Sequence, residues 1–186
     1  MKIYTKTGDK GTSSLYSGER RSKTDPTFAA LGDVDELNSI IGVAREYASA
    51  LDGNISQQLD IVQSRLLDVG SAVATPLPTS SSHKLQRTAF PAHATAALEE
   101  WIDSWSAHLP QLTNFILPSG GLASSFLHMA RAICRRAERS VVVLVDENLV
   151  ESEVAIFLNR LSDYLFTVAR VCAMKSNKPE VVYKKA

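Results

Sequence analysis

A cluster of charged side chains in the segment from 126 to 145 has the composition of an anion-binding site. Its members are spaced so that they line one side of a helix: Arg131, Arg135, Glu138 and Arg139. An apolar stripe runs beside them at the same spacing: Leu127, Ala130, Cys134, Ala137, Val141 and Val145. Charges that border an apolar face must be solvated at its rim or matched to an opposite charge, because an unpaired buried charge costs several kcal/mol. The cluster therefore predicts either an ordinary solvated helix face or a site for a polyanion.

The first 24 residues could supply the other half of such a site. They show no helical period and are rich in hydroxyl side chains, with Lys6 and Lys23 as cations. Gly8 and Gly11 allow positive φ angles, so backbone N–H groups could converge on phosphate oxygens. The hydroxyl donors are Thr5, Thr7, Thr12, Ser13 and Ser14. The segment matches neither the Walker A nor the Rossmann pattern, and a solvated N-terminal tail is the alternative interpretation.

No pattern in the sequence indicates a side-chain nucleophile. The four histidines are scattered along the chain, and His128, near the arginines, is better explained as a structural residue than as a catalytic one. Cys134 and Cys172 have no metal-ligand spacing and lie within apolar helical patterns, which predicts buried free thiols in a reducing compartment. The chemistry that these residues support is therefore the binding and stabilisation of a phosphate-bearing ligand.

Composition limits the classes of partner. The 186 residues are enough for one domain with a sizeable core. Lysine plus arginine equals aspartate plus glutamate at 20 each, so no global basic field would attract nucleic acid or an anionic membrane. No run of about 18 apolar residues occurs, so no membrane-spanning helix is predicted. No secretory or transit-type leader is recognisable at the start of the sequence, and a chain from which a leader had been removed would look the same.

Five helices are predicted to position these residues. Apolar residues recur at helical spacing in five segments: 25–50, 54–73, 92–109, 126–145 and 150–175. The first helix begins at Asp25-Pro26 or at Asp33, and Asn54 is the predicted N-cap of the second. The fifth helix carries a second face with polar and aromatic groups: Asn159, Asp163, Phe166 and Arg170.

The connections between the helices are predicted to be irregular. Residues 75–91 contain three prolines and a serine run and are predicted to be a flexible loop, while residues 114–121, NFILPSGG, turn tightly into the fourth helix. No strand of any length is predicted. Five amphipathic helices with short connections imply one all-α domain over 1–186, an antiparallel up-and-down bundle of the ferritin type. It comprises a nucleotide-binding loop at 1–24, helices at 25–175 and a C-terminal tail at 176–186.

Six motifs in a fixed order carry a resemblance to a known family. They are TKTGDKG, GERRSKTD, DELN, ILPSGG, LHMARAICRRAER and FLNRLSDYLFTVAR. Together they resemble the PduO-type ATP:cob(I)alamin adenosyltransferases, and the match runs from residue 3 to about residue 174. The wording ILPSGG, FLNRLSD and DVGSAVATP is similar to the animal mitochondrial branch of that family. Ser13 and Ser119 depart from the threonine and glycine that are usual in bacterial members.

What this resemblance implies is a homotrimeric five-helix bundle with active sites between neighbouring subunits. The family transfers the 5′-deoxyadenosyl group of ATP to the cobalt of reduced corrinoid, cob(I)alamin, with Mg²⁺, and releases triphosphate. The implied partners are a reductant for cob(II)alamin and an acceptor enzyme that depends on adenosylcobalamin, with neither nucleic acid nor membrane. The implied location is the mitochondrial matrix, or the cytoplasm if Met1 is the native start.

The resemblance also assigns residues by position. The ATP set comes from the N-terminal loop and the fourth and fifth helices: Thr5, Lys6, Thr7, Gly8, Ser13, Ser14, Lys23, Arg135, Arg136, Ala137, Glu138, Arg139 and Asn159. The corrinoid set is Phe115, at the lower axial face, with Asp163 and Phe166. Asp35 corresponds to a carboxylate that pairs with Arg131 across the subunit boundary, and these two are assigned to catalysis together with Arg135 and Lys23. Mg²⁺ is placed on the triphosphate, near Glu138, with no side-chain ligand assigned.

The residue types agree with that chemistry. Attack on C5′ makes triphosphate the leaving group, so negative charge develops on the bridging oxygen and preorganised cations contribute most. Arg135, Arg139 and Lys23 are such cations, and reduced cobalt needs no side-chain nucleophile. Two alternatives remain open at this point. One is a helical nucleotide-binding phosphotransferase, which would release a diphosphate; the other is a non-catalytic oligomeric bundle, which would not bind ATP.

Overall fold

A computed structural model of the chain describes residues 3–185. The helices are α1 Pro26–Ala48, α2 Gly53–Val73, α3 Ser82–Thr88, α4 Ala94–Ser106, α5 Leu122–Asp146 and α6 Ser152–Lys175. The strands are β1 Thr12–Ser14, β2 Arg20–Ser22, β3 Ile116–Leu117 and β4 Val181–Val182. Within residues 3–185, no helix has both the length and the apolarity required to span a membrane.

The charged helix α5 lies in the middle of the bundle. It packs against both α1 and α6, while α2 packs on the far side of α1 and α4 on the far side of α6. The residues of the apolar stripe on α5 that belong to the core include Leu127, Cys134 and Val141, none of which is exposed to solvent. Because one stripe must face two neighbouring helices, α5 is apolar over a wide arc and can present charge only along its remaining surface.

The mostly helical prediction is confirmed, but the count of five helices is wrong. The additional helix is α3, a seven-residue helix inside the segment 75–91 that is predicted as a flexible loop. None of its residues is buried. Two turns without a buried face have no apolar period, so the sequence pattern could not reveal this helix.

The expectation that the chain forms no strands is also wrong. Strands β1 and β2 form an antiparallel hairpin in the N-terminal loop, with Ser13 opposite Arg21. Strands β3 and β4 pair residues 116–117 with residues 181–182, so the C-terminal tail returns to the turn that precedes α5. Strands of two or three residues are too short to show the alternation by which strands are recognised.

The helix ends show where local sequence signals succeed and fail. Asp25 caps α1 by accepting a hydrogen bond from the Thr27 N–H at 2.8 Å, as predicted. Helix α2 is capped by Asp52 and not by Asn54, because the Asp52 carboxylate accepts from the N–H groups of Asn54 and Ile55 at 2.8 and 3.4 Å. Both residues are good caps, and the extended backbone of Asp52, at φ −160°, decides between them.

Helix α5 begins four residues earlier than the pattern predicts. Gly120 and Gly121 precede it with φ angles of +87° and +93°, which L side chains rarely adopt. A Cβ on Gly120 would also overlap the Cβ of Ala173 on α6. The glycine pair therefore makes the turn into α5 and allows the backbone to lie directly against α6.

Candidate active site

The N-terminal loop is held in a curled conformation by its own backbone. The Gly11 N–H donates to the carbonyl of Gly8 at 3.2 Å, and the Lys23 N–H donates to the carbonyl of Gly11 at 2.9 Å. Lys6 has a φ angle of +59°, in the left-handed region. The hydroxyl oxygens of Thr5 and Thr7 lie 2.9 Å apart. The predicted hydroxyl and lysine donors are thus gathered in one ordered and mostly exposed segment.

Arg20 organises this loop, although its place in the sequence does not set it apart from the neighbouring basic residues. Its guanidinium donates to the Thr7 carbonyl at 2.9 Å, to Thr12 Oγ1 at 2.6 Å and to Ser14 Oγ at 3.2 Å. Three contacts that converge from residues 7, 12 and 14 fix the width of the loop. The GERRSKTD motif contains Arg20, but only the hairpin register of β1 and β2 places its side chain over the loop.

Lys23 lies where the sequence predicts a cation. A Cβ on Gly8 would lie 3.3 Å from Lys23 Nζ, so the ammonium rests against the bare backbone of Gly8. Any larger residue at position 8 would push the ammonium away. The glycine therefore serves close approach at this position, which is the role that glycines have in phosphate-binding loops.

The arginines of α5 divide into two kinds. Arg135 and Arg139 are exposed, and neither forms an ion pair within residues 3–185. Their one mutual contact is a hydrogen bond of 2.9 Å from Arg139 Nη1 to the Arg135 carbonyl. Arg136 instead pairs with two carboxylates of α1, with Asp33 at 3.1 Å and with Glu36. The charge available to a ligand is therefore that of Arg135 and Arg139.

The residues around this pair also separate into exposed and buried groups. Glu138 Oε1 accepts a hydrogen bond of 2.8 Å from the Asn159 amide, which joins α5 to α6. Asn159 is exposed, as a ligand-binding residue must be. Ala137 has no exposed surface and belongs to the core. Its methyl group is out of reach of a nucleotide on the surface, so it can only support its neighbours through packing.

Asp35 and Arg131 are not brought together within one chain. Asp35 faces a cavity of about 460 Å³ between α1 and α2, whose other lining residues include Tyr16, Asn38 and Arg87. Arg131 is partly buried, and its Nε is buried without a hydrogen-bond partner. Neither residue forms an ion pair in the part of the chain that the structure describes. A buried guanidinium nitrogen without a partner is costly, and residues 3–185 provide no acceptor for this one.

The residues of the predicted polar face of α6 have different neighbours: Asn159 and Phe166 contact α5, whereas Arg170 contacts the C-terminal tail. Asp163 is exposed and pairs with Arg160 at 2.9 Å, and Arg160 also pairs with Glu99 of α4 at 2.9 Å. The ring of Phe166 meets the ring of His128 edge-on, with 5.8 Å between the centroids. Burial and the nearby charge of Arg131 lower the pKa of His128, while Glu180 acts in the opposite direction.

Phe115 lines an open hollow on the surface. Its side chain is 84% exposed. The hollow has a volume of about 380 Å³ and is lined by Leu112, Thr113, Asn114, Phe115 and Tyr183. The Tyr183 N–H donates to the Phe115 carbonyl at 2.8 Å. The C-terminal tail thus forms part of this hollow, a feature that no sequence signal indicated.

The prediction of two buried free thiols is confirmed. Cys134 and Cys172 are both free and buried. Burial raises the pKa of Cys172 to about 12 and raises the pKa of Cys134 further above its ordinary value, so both remain protonated at neutral pH. Among residues 3–185, no group of three or more His, Cys, Asp or Glu side chains could hold a metal ion. The arrangement can bind a polyanion and stabilise a leaving group, but it offers no thiolate for covalent catalysis.

Comparisons with known proteins agree over almost the whole chain. The sequence profile of the cobalamin adenosyltransferase family matches residues 3–172. The corrinoid adenosyltransferase MMAB of Bos taurus is 54% identical over 184 residues, which cover 99% of this chain and 76% of that protein. The corrinoid adenosyltransferase of Bacillus subtilis is 39% identical over 188 residues, covering 100% of this chain and 94% of that protein.

A solved structure gives the same result for the fold. It is a phenylalanine-to-alanine variant of a PduO-type ATP:corrinoid adenosyltransferase from Lactobacillus reuteri, complexed with cobalamin and ATP. It superposes with a TM-score of 0.90 at 38% identity and covers 99% of this chain and 100% of that one.

Proposed function

This chain belongs to the cobalamin adenosyltransferase family, and we propose that it transfers the 5′-deoxyadenosyl group of ATP to the cobalt of cob(I)alamin. The observation that carries the proposal is the division among the arginines of α5. Arg136 is neutralised by Asp33 and Glu36, whereas Arg135 and Arg139 are exposed with no carboxylate partner within residues 3–185. Two adjacent unneutralised guanidinium groups favour a polyanion such as the triphosphate of ATP.

The reaction needs these cations more than it needs a nucleophile. Reduced cobalt supplies the electron pair that forms the cobalt–carbon bond at C5′. The C5′–oxygen bond breaks, and its electron pair leaves with triphosphate. Arg135, Arg139 and Lys23 stabilise the charge that develops on the leaving oxygen, which is the largest contribution that preorganised donors can make. The exposed loop with Thr5, Thr7, Gly8, Ser13 and Ser14 holds the nucleotide.

Mg²⁺ fits this site as a partner of the triphosphate. The carboxylate of Glu138 lies on the same helix as Arg135 and Arg139, and its Oε1 is oriented by Asn159. One carboxylate together with phosphate oxygens is the usual donor set for Mg²⁺. When bound, the ion would neutralise part of the charge on the leaving group.

We infer that the active form is a homotrimer in which Asp35 of one copy pairs with Arg131 of the next. Two features support it: the unpartnered Nε of Arg131 and the Asp35 carboxylate that faces a cavity. Helix α5 also exposes apolar side chains that a second copy would cover: Leu122, Met129, Val142 and Val143. Each active site would then be formed by two subunits.

The charge swap Asp35→Arg with Arg131→Asp tests this assembly. Asp35→Ala or Arg131→Ala is expected to loosen the trimer and to lower activity together, since each leaves one charge without its partner. The double swap should recover part of both properties. Sedimentation at several protein concentrations measures the assembly. A wild-type protein that is fully active as a monomer would contradict the shared site.

The corrinoid is proposed to bind at Phe115, Asp163 and Phe166, with Phe115 at its lower axial face. The proposed partners are a reductant for cob(II)alamin and an acceptor enzyme that uses adenosylcobalamin. The proposed location is the mitochondrial matrix, which the 54% identity with an animal MMAB protein supports.

An anaerobic assay with ATP, Mg²⁺ and chemically reduced cobalamin tests the proposed function. The expected result is the absorption spectrum of a cobalt–carbon bond together with inorganic triphosphate. Release of a diphosphate without a change in the cobalamin spectrum would instead indicate a phosphotransferase. Failure to bind ATP would indicate a non-catalytic bundle.

A further inference from the structure

One buried arginine joins the C-terminal tail to the loop that carries Phe115. Arg170 of α6 is only 8% exposed. Its Nε donates to Glu180 Oε1 at 3.0 Å, and its Nη2 donates to the carbonyl of Pro110 at 3.0 Å. Pro110 lies at the start of the loop and Glu180 lies in the tail. The same guanidinium therefore holds both segments against α6.

The tail in turn holds the backbone at Phe115 and directly after it. The Tyr183 N–H donates to the Phe115 carbonyl at 2.8 Å. Ser119 Oγ accepts from the Val181 N–H at 2.9 Å and donates to the Leu117 carbonyl at 2.8 Å. This second contact exists because a serine occupies position 119, so a residue without a hydroxyl group would remove it.

Phe115 depends on these backbone contacts for its position. At 84% exposure its ring gains little from packing within the chain. The β3–β4 ladder pairs only two residues on each side, and so short a ladder is not stable in water without further support. The support comes from Glu180, which precedes β4 directly and is fixed by Arg170.

We propose that the Arg170–Glu180 pair is a positioning device that presents Phe115 to the corrinoid by holding the tail as a strand beside the loop 110–121. This inference rests on the proposed function. Arg170 and Glu180 are positioning residues that need not touch either substrate. Loss of the pair should weaken the corrinoid site and leave the nucleotide site unchanged, because the N-terminal loop and Arg135 make no contact with the tail among the hydrogen bonds of the described residues.

The kinetic test compares Glu180→Ala, Glu180→Gln and a control, Asp68→Ala. Asp68 also forms an ion pair with an arginine, Arg65 at 2.8 Å, but within α2. Glu180→Ala is expected to raise KM for the corrinoid about tenfold, the size of one charge-assisted hydrogen bond, with KM for ATP unchanged. Glu180→Gln keeps an acceptor for Arg170 and should give a smaller rise. Asp68→Ala should change neither constant.

Hydrogen exchange of the ligand-free protein tests whether the pair holds the tail and the loop in place, and it needs no activity measurement. In Glu180→Ala, amides in 111–121 and 181–183 should exchange faster than in the wild type, and Asp68→Ala should leave them unchanged. Unchanged exchange rates in Glu180→Ala would contradict the claim that the Arg170–Glu180 pair holds the tail beside the loop, whatever the enzymatic activity. Faster exchange with an unaltered KM for the corrinoid would overturn the positioning role.

Failure of the proposed function can be distinguished from failure of this inference, because in that case the wild-type protein itself would form no adenosylcobalamin. Circular dichroism checks that each variant is folded. If Glu180→Ala does not fold, Glu180→Gln takes its place in both measurements, with the same outcomes for and against.

Discussion

Two non-helical regions of this protein, the N-terminal loop and the loop at Phe115, are held in different ways. The N-terminal loop is shaped by hydrogen bonds from Arg20, which is exposed. The loop at Phe115 is held by Arg170, which is 8% exposed and has a carboxylate and a carbonyl as acceptors. An exposed polar contact, which competes with water, contributes about 0 to 1 kcal/mol to the stability of the folded state. A buried charge that loses its partner costs several times as much stability.

This difference suggests that the two substrates meet sites of different rigidity. A loop held by exposed contacts can rearrange around ATP, because its contacts exchange with water at little cost. A loop held by a buried arginine is formed before the corrinoid arrives. The comparison predicts that single substitutions in the nucleotide loop have modest effects, unless the residue itself contacts triphosphate.

The largest effect is expected for Arg135→Ala and Lys23→Ala, which remove cations from the triphosphate. One charge-assisted contact is worth about 1.5 to 3 kcal/mol, so turnover should fall roughly tenfold to a hundredfold with the fold intact. Arg65→Ala is the control, since Arg65 is an arginine paired within α2. Steady-state rates with excess cob(I)alamin measure the effect. Unchanged turnover in Arg135→Ala would exclude α5 from the mechanism.

Phe115→Ala should have the next largest effect and should act only on the corrinoid side. If the ring excludes water and the lower axial ligand, its loss slows the reaction that starts from cob(II)alamin with a weak reductant more than the reaction from preformed cob(I)alamin. The difference should be about tenfold or more, because burying a phenylalanine side chain is worth about 1.5 to 3 kcal/mol. Parallel assays from the two oxidation states measure it. Equal losses in both would indicate that Phe115 only packs.

Arg20→Ala tests the nucleotide loop directly and should have a smaller effect. It removes three exposed hydrogen bonds that set the spacing of residues 7, 12 and 14. We expect KM for ATP to rise about threefold to tenfold, at about 0.5 to 1.5 kcal/mol for a net hydrogen bond, while KM for the corrinoid stays constant. The KM of Arg20→Lys for ATP should lie between those of the wild type and Arg20→Ala, since lysine keeps the positive charge but lacks the several N–H donors of the guanidinium group. A rise in the KM for the corrinoid would remove the distinction between the two regions.

The smallest effect concerns His128, a buried residue of α5 whose ring contacts Phe166. Burial first, and then the charge of Arg131, lower the pKa of His128 below its ordinary value of 6.5. The unfolded chain therefore takes up a proton at this residue at a higher pH than the folded chain, so stability falls as pH drops below 6.5 and stops falling below the folded pKa.

His128→Gln should remove this slope between pH 7 and pH 5, a change of a few degrees in melting temperature for a chain of this size. Melting curves of both proteins across that range measure it. Parallel slopes in the two proteins would contradict the assignment to His128.

The sequence alone determined the long helices and the positions of the charged groups along them. Apolar spacing in segments such as 54–73 and 150–175 reports burial on one face, and that signal survives in any packing arrangement. The motif order also identified the family. Sequence patterns could not reveal α3, the β1–β2 hairpin, the β3–β4 pairing or the role of Arg20, because none of these has a period or a buried face of its own.

Tertiary structure decided which of several equivalent charges is available. Arg135 and Arg136 are adjacent and identical in type, but successive helix positions differ by about 100° in direction. One arginine therefore meets Asp33 and Glu36 of α1, and the other is left in solvent. In the same way, Arg170 belongs to an ordinary polar face in the sequence, and only the return of the tail brings Glu180 to it. The sequence pattern gives the direction in which a side chain points from its own helix. Which residue it contacts depends on the distant segment that packs against that side of the helix.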